Sequence, residues 1–227
     1  MTGTTANARS AILARLRQAG AGPARLLPDV AAHFRPQAPA DDPAIRAAMF
    51  AERARGWRAE VVEAGPDDWP AAVAAVVRDK RLGRVLAGRG TALAAALAAQ
   101  LPAGTLRWYE QDIEAFRGEL FDAIDAGITT TRGGIAETGS LIVWPDRDEP
   151  RTLSLVPPVH IAVLRASTVF PDLYAAMTAQ GWAGQLPTNA LLVTGPSKTA
   201  DIQRLLVYGA HGPKELVIVL VRDEAAA

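Results

Sequence analysis

The chain has 227 residues, with 24 basic and 24 acidic side chains, three histidines and no cysteine. The missing thiols exclude disulfide scaffolds, thiolate nucleophiles, cysteine-ligated zinc and any iron–sulfur cluster held by this chain alone, so cluster chemistry would belong to a partner. The balanced charge lacks the cationic surplus that nucleic acids and anionic membranes attract, and no apolar run nears the roughly 18 residues of a membrane span. Neither nucleic acid nor a bilayer is expected as a partner. The first twenty residues carry no signal-peptide run either, which points to a cytoplasmic protein.

Ile12, Leu13 and Leu16 share one face of a helix predicted over 7–19, with Arg9, Arg15 and Arg17 elsewhere. The proline- and alanine-rich stretch 35–43 reads as a linker. It ends in Asp42-Pro43, a cap and first-turn pair for a helix running to about Arg55. Residues 1–42 are therefore expected to form an N-terminal helical extension and linker, and residues 43–227 the main domain. From Ala59 strand and helix patterns alternate: strands at 59–64 and 84–88, helices at 68–81 and 91–100, then strands at 105–109, 126–130 and 140–144. Two more strands are expected at 152–156 and 159–165, flanking Pro157-Pro158. A helix over 171–182 follows, and the last strands fall at 190–194 and 216–221. This βαβ rhythm predicts an α/β fold with a parallel sheet covered by helices.

Two stretches carry candidate chemistry. From Gly127 to Trp144, four glycines lie between apolar strand-like segments, with Glu137 among them. Glycine turns let a ligand approach backbone N–H groups such as those of Gly139 and Ser140. A carboxylate on such a turn can act as base, nucleophile or ligand clamp, or can cap the turn itself. From Leu191 to Val221, a strand leads into Gly195-Pro196-Ser197-Lys198-Thr199, followed by an expected helix with Asp201 in its first turn. Free N–H groups beside serine, lysine and threonine suit a carboxylate or phosphate, while a plain N-cap explains the same residues. Two of the three lysines, Lys198 and Lys214, and one of the three histidines, His211, fall in this stretch. His211 and His160 each suit acid–base chemistry or a backbone hydrogen bond. The P-loop, dinucleotide, nucleophile-elbow and paired-histidine metal spacings are absent, so no metal site is expected.

Four motifs give these stretches a likeness. Ile135–Ser140 (IAETGS), Leu153–Ile161 (LSLVPPVHI), Thr194–Ile202 (TGPSKTADI) and Gly209–Pro213 (GAHGP), in that order and spacing, resemble the LUD-domain family of lactate-utilisation proteins. The resemblance implies a fold like that of the NagB/RpiA/CoA-transferase group. It also implies a part in oxidising L-lactate to pyruvate beside two iron–sulfur proteins, with no cofactor bound by this chain. Glu137-Thr138-Gly139 is similar to the glutamate turn that carries covalent CoA chemistry in the wider fold. One departure stands before Ile135: Thr131-Arg132-Gly133-Gly134 replaces a more acidic, alanine-rich stretch, so that Arg132 either alters the ligand or lines an interface. On this reading Glu137 and His211 are the catalytic candidates, and Gly139, Ser140, Gly195, Ser197, Lys198 and Thr199 bind the substrate anion. Two other functions stay open: a stand-alone CoA-transferase or sugar-phosphate isomerase using Glu137, and a non-catalytic scaffold or regulator docking through its N-terminal helix.

Overall fold

A computed structural model describes residues 4–20, 28–34, 42–200 and 206–223. They divide into two units, residues 1–37 and 38–227. The first holds helices α1 (Thr4–Gln18) and α2 (Val30–Phe34). In α1, Arg15 and Arg17 lie in the last turn, where cations complement the carbonyl end of the helix.

The second unit opens with α3 (Pro43–Gly56), and the expected cap is present: the Asp42 carboxylate accepts from the Ala44 N–H at 2.8 Å. Ala47, Phe50, Ala51 and Ala54 repeat at helical spacing and are all buried. There follow β1 (Glu60–Ala64), α4 (Trp69–Asp79), β2 (Val85–Ala87), α5 (Ala94–Gln100), β3 (Leu106–Trp108), α6 (Ile113–Asp122) and β4 (Ala126–Thr130). Next come β5 (Gly133–Ile135), β6 (Ser140–Val143), α7 (Arg151–Leu155), β7 (Val159–Arg165), β8 (Val169–Phe170) and α8 (Leu173–Ala179). The chain closes with β9 (Leu191–Val193), β10 (Lys198–Ala200), β11 (Leu206–Tyr208) and β12 (Glu215–Val221).

Six strands build the central sheet in the order β1-β12-β7-β4-β2-β3, every neighbouring pair parallel. Both faces are covered, as all-parallel sheets require. Along β12, Val217, Val219 and Val221 face the α4–α5 layer, while Leu216, Ile218 and Leu220 face α3 and a smaller sheet. That smaller, mixed sheet has the order β8-β5-β6-β9, and β10 and β11 form a separate antiparallel pair. The α/β class with a parallel sheet and flanking helices is thus the observed architecture.

Several local expectations are corrected. Residues 152–156 are not a strand: β7 is already paired on both sides, by β4 and β12, so a strand there has no place in the sheet. The segment instead winds into α7 over β4, where Gly127 makes room; a Cβ on Gly127 would lie 2.0 Å from the Leu153 carbonyl oxygen. The helix expected over 171–182 stops at Ala179, because Gly181 adopts φ 64° and turns the chain. Helix α6 and strands β5, β8, β10 and β11 escaped the sequence patterns, the strands being three residues or fewer.

Candidate functional site

Three of the four motifs gather at the amino-terminal edge of the central sheet. His160 is the second residue of β7 and Leu216 the second of β12. Around them close the loop after β9, carrying Gly195 and Ser197, and the 209–213 loop, carrying His211. Backbone bonds clamp the two loops together: the Ser197 N–H donates to the Pro213 carbonyl at 2.8 Å, and the Gly209 N–H donates to the Ser197 carbonyl at 2.9 Å. The Lys214 N–H donates to the Pro158 carbonyl at 2.7 Å and ties in the Pro157-Pro158 turn. Gly195 holds φ 125° with the Trp57 carbonyl oxygen 2.6 Å from where a Cβ would stand. Only glycine meets that conformation and that close approach without strain.

Between these loops lies a cavity of about 220 Å³. Its polar groups come from Ser154, His160, Thr194, Ser197 and His211, and its apolar wall includes Leu155, Leu192, Val193 and Leu216. His160 is 1% exposed, and its Nε2 lies 2.8 Å from the Thr129 hydroxyl. Among the described residues its Nδ1 has no hydrogen-bond partner. Burial holds the imidazole neutral, its pKa pushed down to about 4. His211 is exposed at the rim.

Glu137 sits elsewhere. It is exposed on the turn joining β5 to β6 and lines a separate recess with Glu52, Arg53, Trp57 and Thr138. The Gly139 N–H, expected to face a ligand, donates instead to the Ile135 carbonyl at 2.8 Å and closes the turn. Gly139 at φ 69° packs against α3, the Ala54 nitrogen lying 2.5 Å from a would-be Cβ. Ser140 is buried and links the two regions: its hydroxyl lies 2.7 Å from that of Thr138 and 2.7 Å from that of Thr194. A line of three hydroxyls therefore runs from the Glu137 turn to the cavity wall.

The helix expected after Thr199 gives way at its described ends to a hairpin, Lys198–Ala200 being strand β10 paired with β11, while Asp201 and Ile202 lie outside the described residues. Among the described residues no helix begins at Lys198. Lys198 instead lines a cleft of about 450 Å³ with Trp57, Arg58 and Tyr208, next to the cavity and sharing Leu192, Thr194 and Gly195 with it. The Arg58 guanidinium lies 5.0 Å from the Tyr208 ring centre. Thr199 lines neither space. Arg132 lies over the Trp144 ring at 4.6 Å, and its carbonyl accepts from Gln180 Nε2, so it shapes the far side of the mixed sheet.

The carboxyl ends of the parallel strands, where ligands commonly bind at a reversal of strand order, are occupied differently. That reversal falls between β2 and β4; Asp148 packs against Gly88 just after β2, and Arg89, Gly90, Tyr109, Arg147 and Asp148 line a recess of about 640 Å³ beside it. A Cβ on Gly88 would lie 2.3 Å from the Asp148 carbonyl oxygen. Glu149 accepts from the N–H and the hydroxyl of Thr130, and burial raises its pKa against the lowering effect of those bonds. Among the described residues no group of three or more acidic or histidine side chains could hold a metal, and no helix is long and apolar enough to cross a membrane.

Residues 47–221 match the LUD domain model, and the chain belongs to the LUD-domain family. Within that family it is 45% identical over 114 residues to an uncharacterized protein of Neisseria meningitidis, covering 50% of this chain and 49% of that one. It is 38% identical over 106 residues to lactate utilization protein C 1 of Bacillus mycoides, covering 45% of each chain, and 32% identical over 110 residues to lactate utilization protein C of Macrococcus caseolyticus, covering 47% and 48%. The chain thus spans about half the length of the curated relatives it matches. A crystal structure of a DUF162 family protein from Deinococcus radiodurans shares the fold, with TM-score 0.57 at 24% identity over 81% of this chain and 99% of that one.

His160 is the residue whose role sequence reasoning left open. Its signal was its place directly after a Pro-Pro-Val turn, which sets a strand start beneath a loop, but its burial depends on α7 and Gly127.

Proposed function

We propose that the chain serves L-lactate utilisation in the cytoplasm as a subunit without a cluster of its own, supporting oxidation of L-lactate to pyruvate together with two iron–sulfur proteins. The observation that carries this reading is LUD-domain membership together with relatives named lactate utilization protein C. A chain without cysteine leaves the clusters to its partners. Oxidation of a 2-hydroxy acid releases two electrons and two protons. The partners' clusters take the electrons. The His211 imidazole, at the rim of the cavity, takes the hydroxyl proton, the Cα proton passes to solvent at the exposed rim as the electrons leave, and Ser197 meets the carboxylate. Gly195 lets the loop fold tightly enough to present both, and Lys198 supplies a cation in the adjoining cleft. Glu137 is the second proposed catalytic group, connected to the cavity through Thr138, Ser140 and Thr194.

The test is co-expression with two iron–sulfur lactate-utilisation proteins, followed by L-lactate-dependent dye reduction. It compares wild-type chain, no chain, His211→Gln and Glu137→Gln. Dye reduction that needs the chain and falls with either substitution supports a catalytic subunit. Reduction indifferent to the chain overturns that role and favours a scaffold or regulator.

A further inference from the structure

We infer that His160 is a ligand-binding residue of the cavity, presenting a neutral Nδ1–H to an oxygen of a small aliphatic monocarboxylate. The inference rests on the cavity being the ligand site, and it names the group that recognises the ligand and the ligand's chemical class. The protonation state follows from hydrogen-bond accounting. The His160–Thr129 bond at 2.8 Å can run either way. Among the described residues the Thr129 hydroxyl has no other partner. If Nε2–H donated to it, both the hydroxyl proton and the Nδ1 lone pair would be left unsatisfied in the interior. If the hydroxyl donates to Nε2, the ring proton sits on Nδ1 and one donor alone remains to be met. Thr129 is itself 1% exposed on β4, so the choice is made inside the protein and not by solvent.

A buried donor without a partner calls for an acceptor, and His160 lines a space much larger than one water. The cavity's volume of about 220 Å³ suits a molecule of a few carbons. Among the described residues no lysine, arginine, aspartate or glutamate lines it. A dianion such as phosphate would lack the fixed positive charge it needs there. A monocarboxylate meets two neutral donors, His160 Nδ1–H and the Ser197 hydroxyl, with His211 at the rim. Its carbon end meets Leu155, Leu192 and Leu216. Because burial keeps the ring neutral, the donor persists across the physiological range.

The experiment is calorimetric titration of the full chain alone with L-lactate, pyruvate and inorganic phosphate, for wild type, His160→Gln and His160→Asn. Glutamine reaches Thr129 but lacks a donor at the Nδ1 position; asparagine keeps a donor there and loses Thr129. Wild type should bind the two monocarboxylates and not phosphate, His160→Gln should bind them at least about tenfold more weakly, in line with one lost buried hydrogen bond, and His160→Asn should restore part of the loss. Nitrogen NMR of wild-type histidine, which needs no variant to fold, should show the proton on Nδ1. Unchanged affinity in His160→Gln, phosphate binding as tight as lactate, absence of any monocarboxylate heat, or a proton on Nε2 would each overturn the assignment. Because no partner and no electron transfer enter this measurement, a chain that binds lactate through His160 yet leaves dye reduction unaffected keeps the site and loses the proposed subunit role. Dye reduction that needs a chain unable to bind monocarboxylates does the reverse.

Discussion

Acidification from pH 7 to about pH 5 is expected to cost the folded chain about 2 kcal/mol through His160 alone. An unfolded imidazole titrates near 6.5, and the buried one at about 4. Between those values the unfolded chain binds more protons than the folded one, so stability rises with pH there. The contribution is complete above about 6.5 and disappears as pH falls toward 4, a total of about 3 kcal/mol. The perturbation that isolates it is His160→Gln, which keeps an amide in reach of the Thr129 hydroxyl and removes the titration. Urea unfolding followed by circular dichroism, at both pH values, should show wild type losing about 2 kcal/mol more than the variant. Glu149 acts with the opposite sign: its raised pKa gives stability that is present at low pH and lost as pH rises through its folded value. It is common to both proteins and cancels in the comparison. Parallel loss of stability in wild type and variant would refute a buried, neutral His160.

Gly127→Ala sets a methyl against the Leu153 carbonyl oxygen, 2.0 Å away on backbone that cannot swing aside, and should lower stability by about 3 kcal/mol or more, read as a fall of roughly 6–12 °C in the thermal midpoint. Gly195→Ala forces a side chain into φ 125° against the Trp57 carbonyl and should cost about 1–3 kcal/mol, with weakened ligand binding in the adjoining cavity as a second readout in titration. Glu137→Gln, on an exposed turn, should leave stability in urea unfolding within about 0.5 kcal/mol of wild type, so any fall in dye reduction reports lost chemistry. Leu153→Ala, fully buried between α7 and β4, should cost about 2–5 kcal/mol in urea unfolding.

Local chemistry was legible from the chain itself. Asp42-Pro43 announced α3 because a carboxylate cap and a fixed proline φ act within one turn. The unbroken apolar runs at 161–164 and 216–221 announced strands buried on both faces, since covered parallel strands need no alternation. The four motifs were visible for the same reason, as short stretches whose glycines and prolines set turns locally. Residues 152–156 show where that reach stops: their composition permits strand or helix, and only the prior pairing of β7 with β4 and β12 excludes the strand. Site membership was likewise undetermined. His211, Ser197 and Gly195 meet at the amino-terminal edge of the sheet, whereas Glu137, close to Ser140 in sequence, faces another recess because its turn points along α3. His160 suits acid–base chemistry or a backbone hydrogen bond on sequence alone, and its enclosure is set by Gly127 and Thr129, about thirty residues earlier, with α7 above them. Periodicity, capping and turn preference act over a few residues and are written in the chain. Burial, an unmet donor and a shared cavity are properties of segments brought together across the sheet, and the tertiary structure alone decides them.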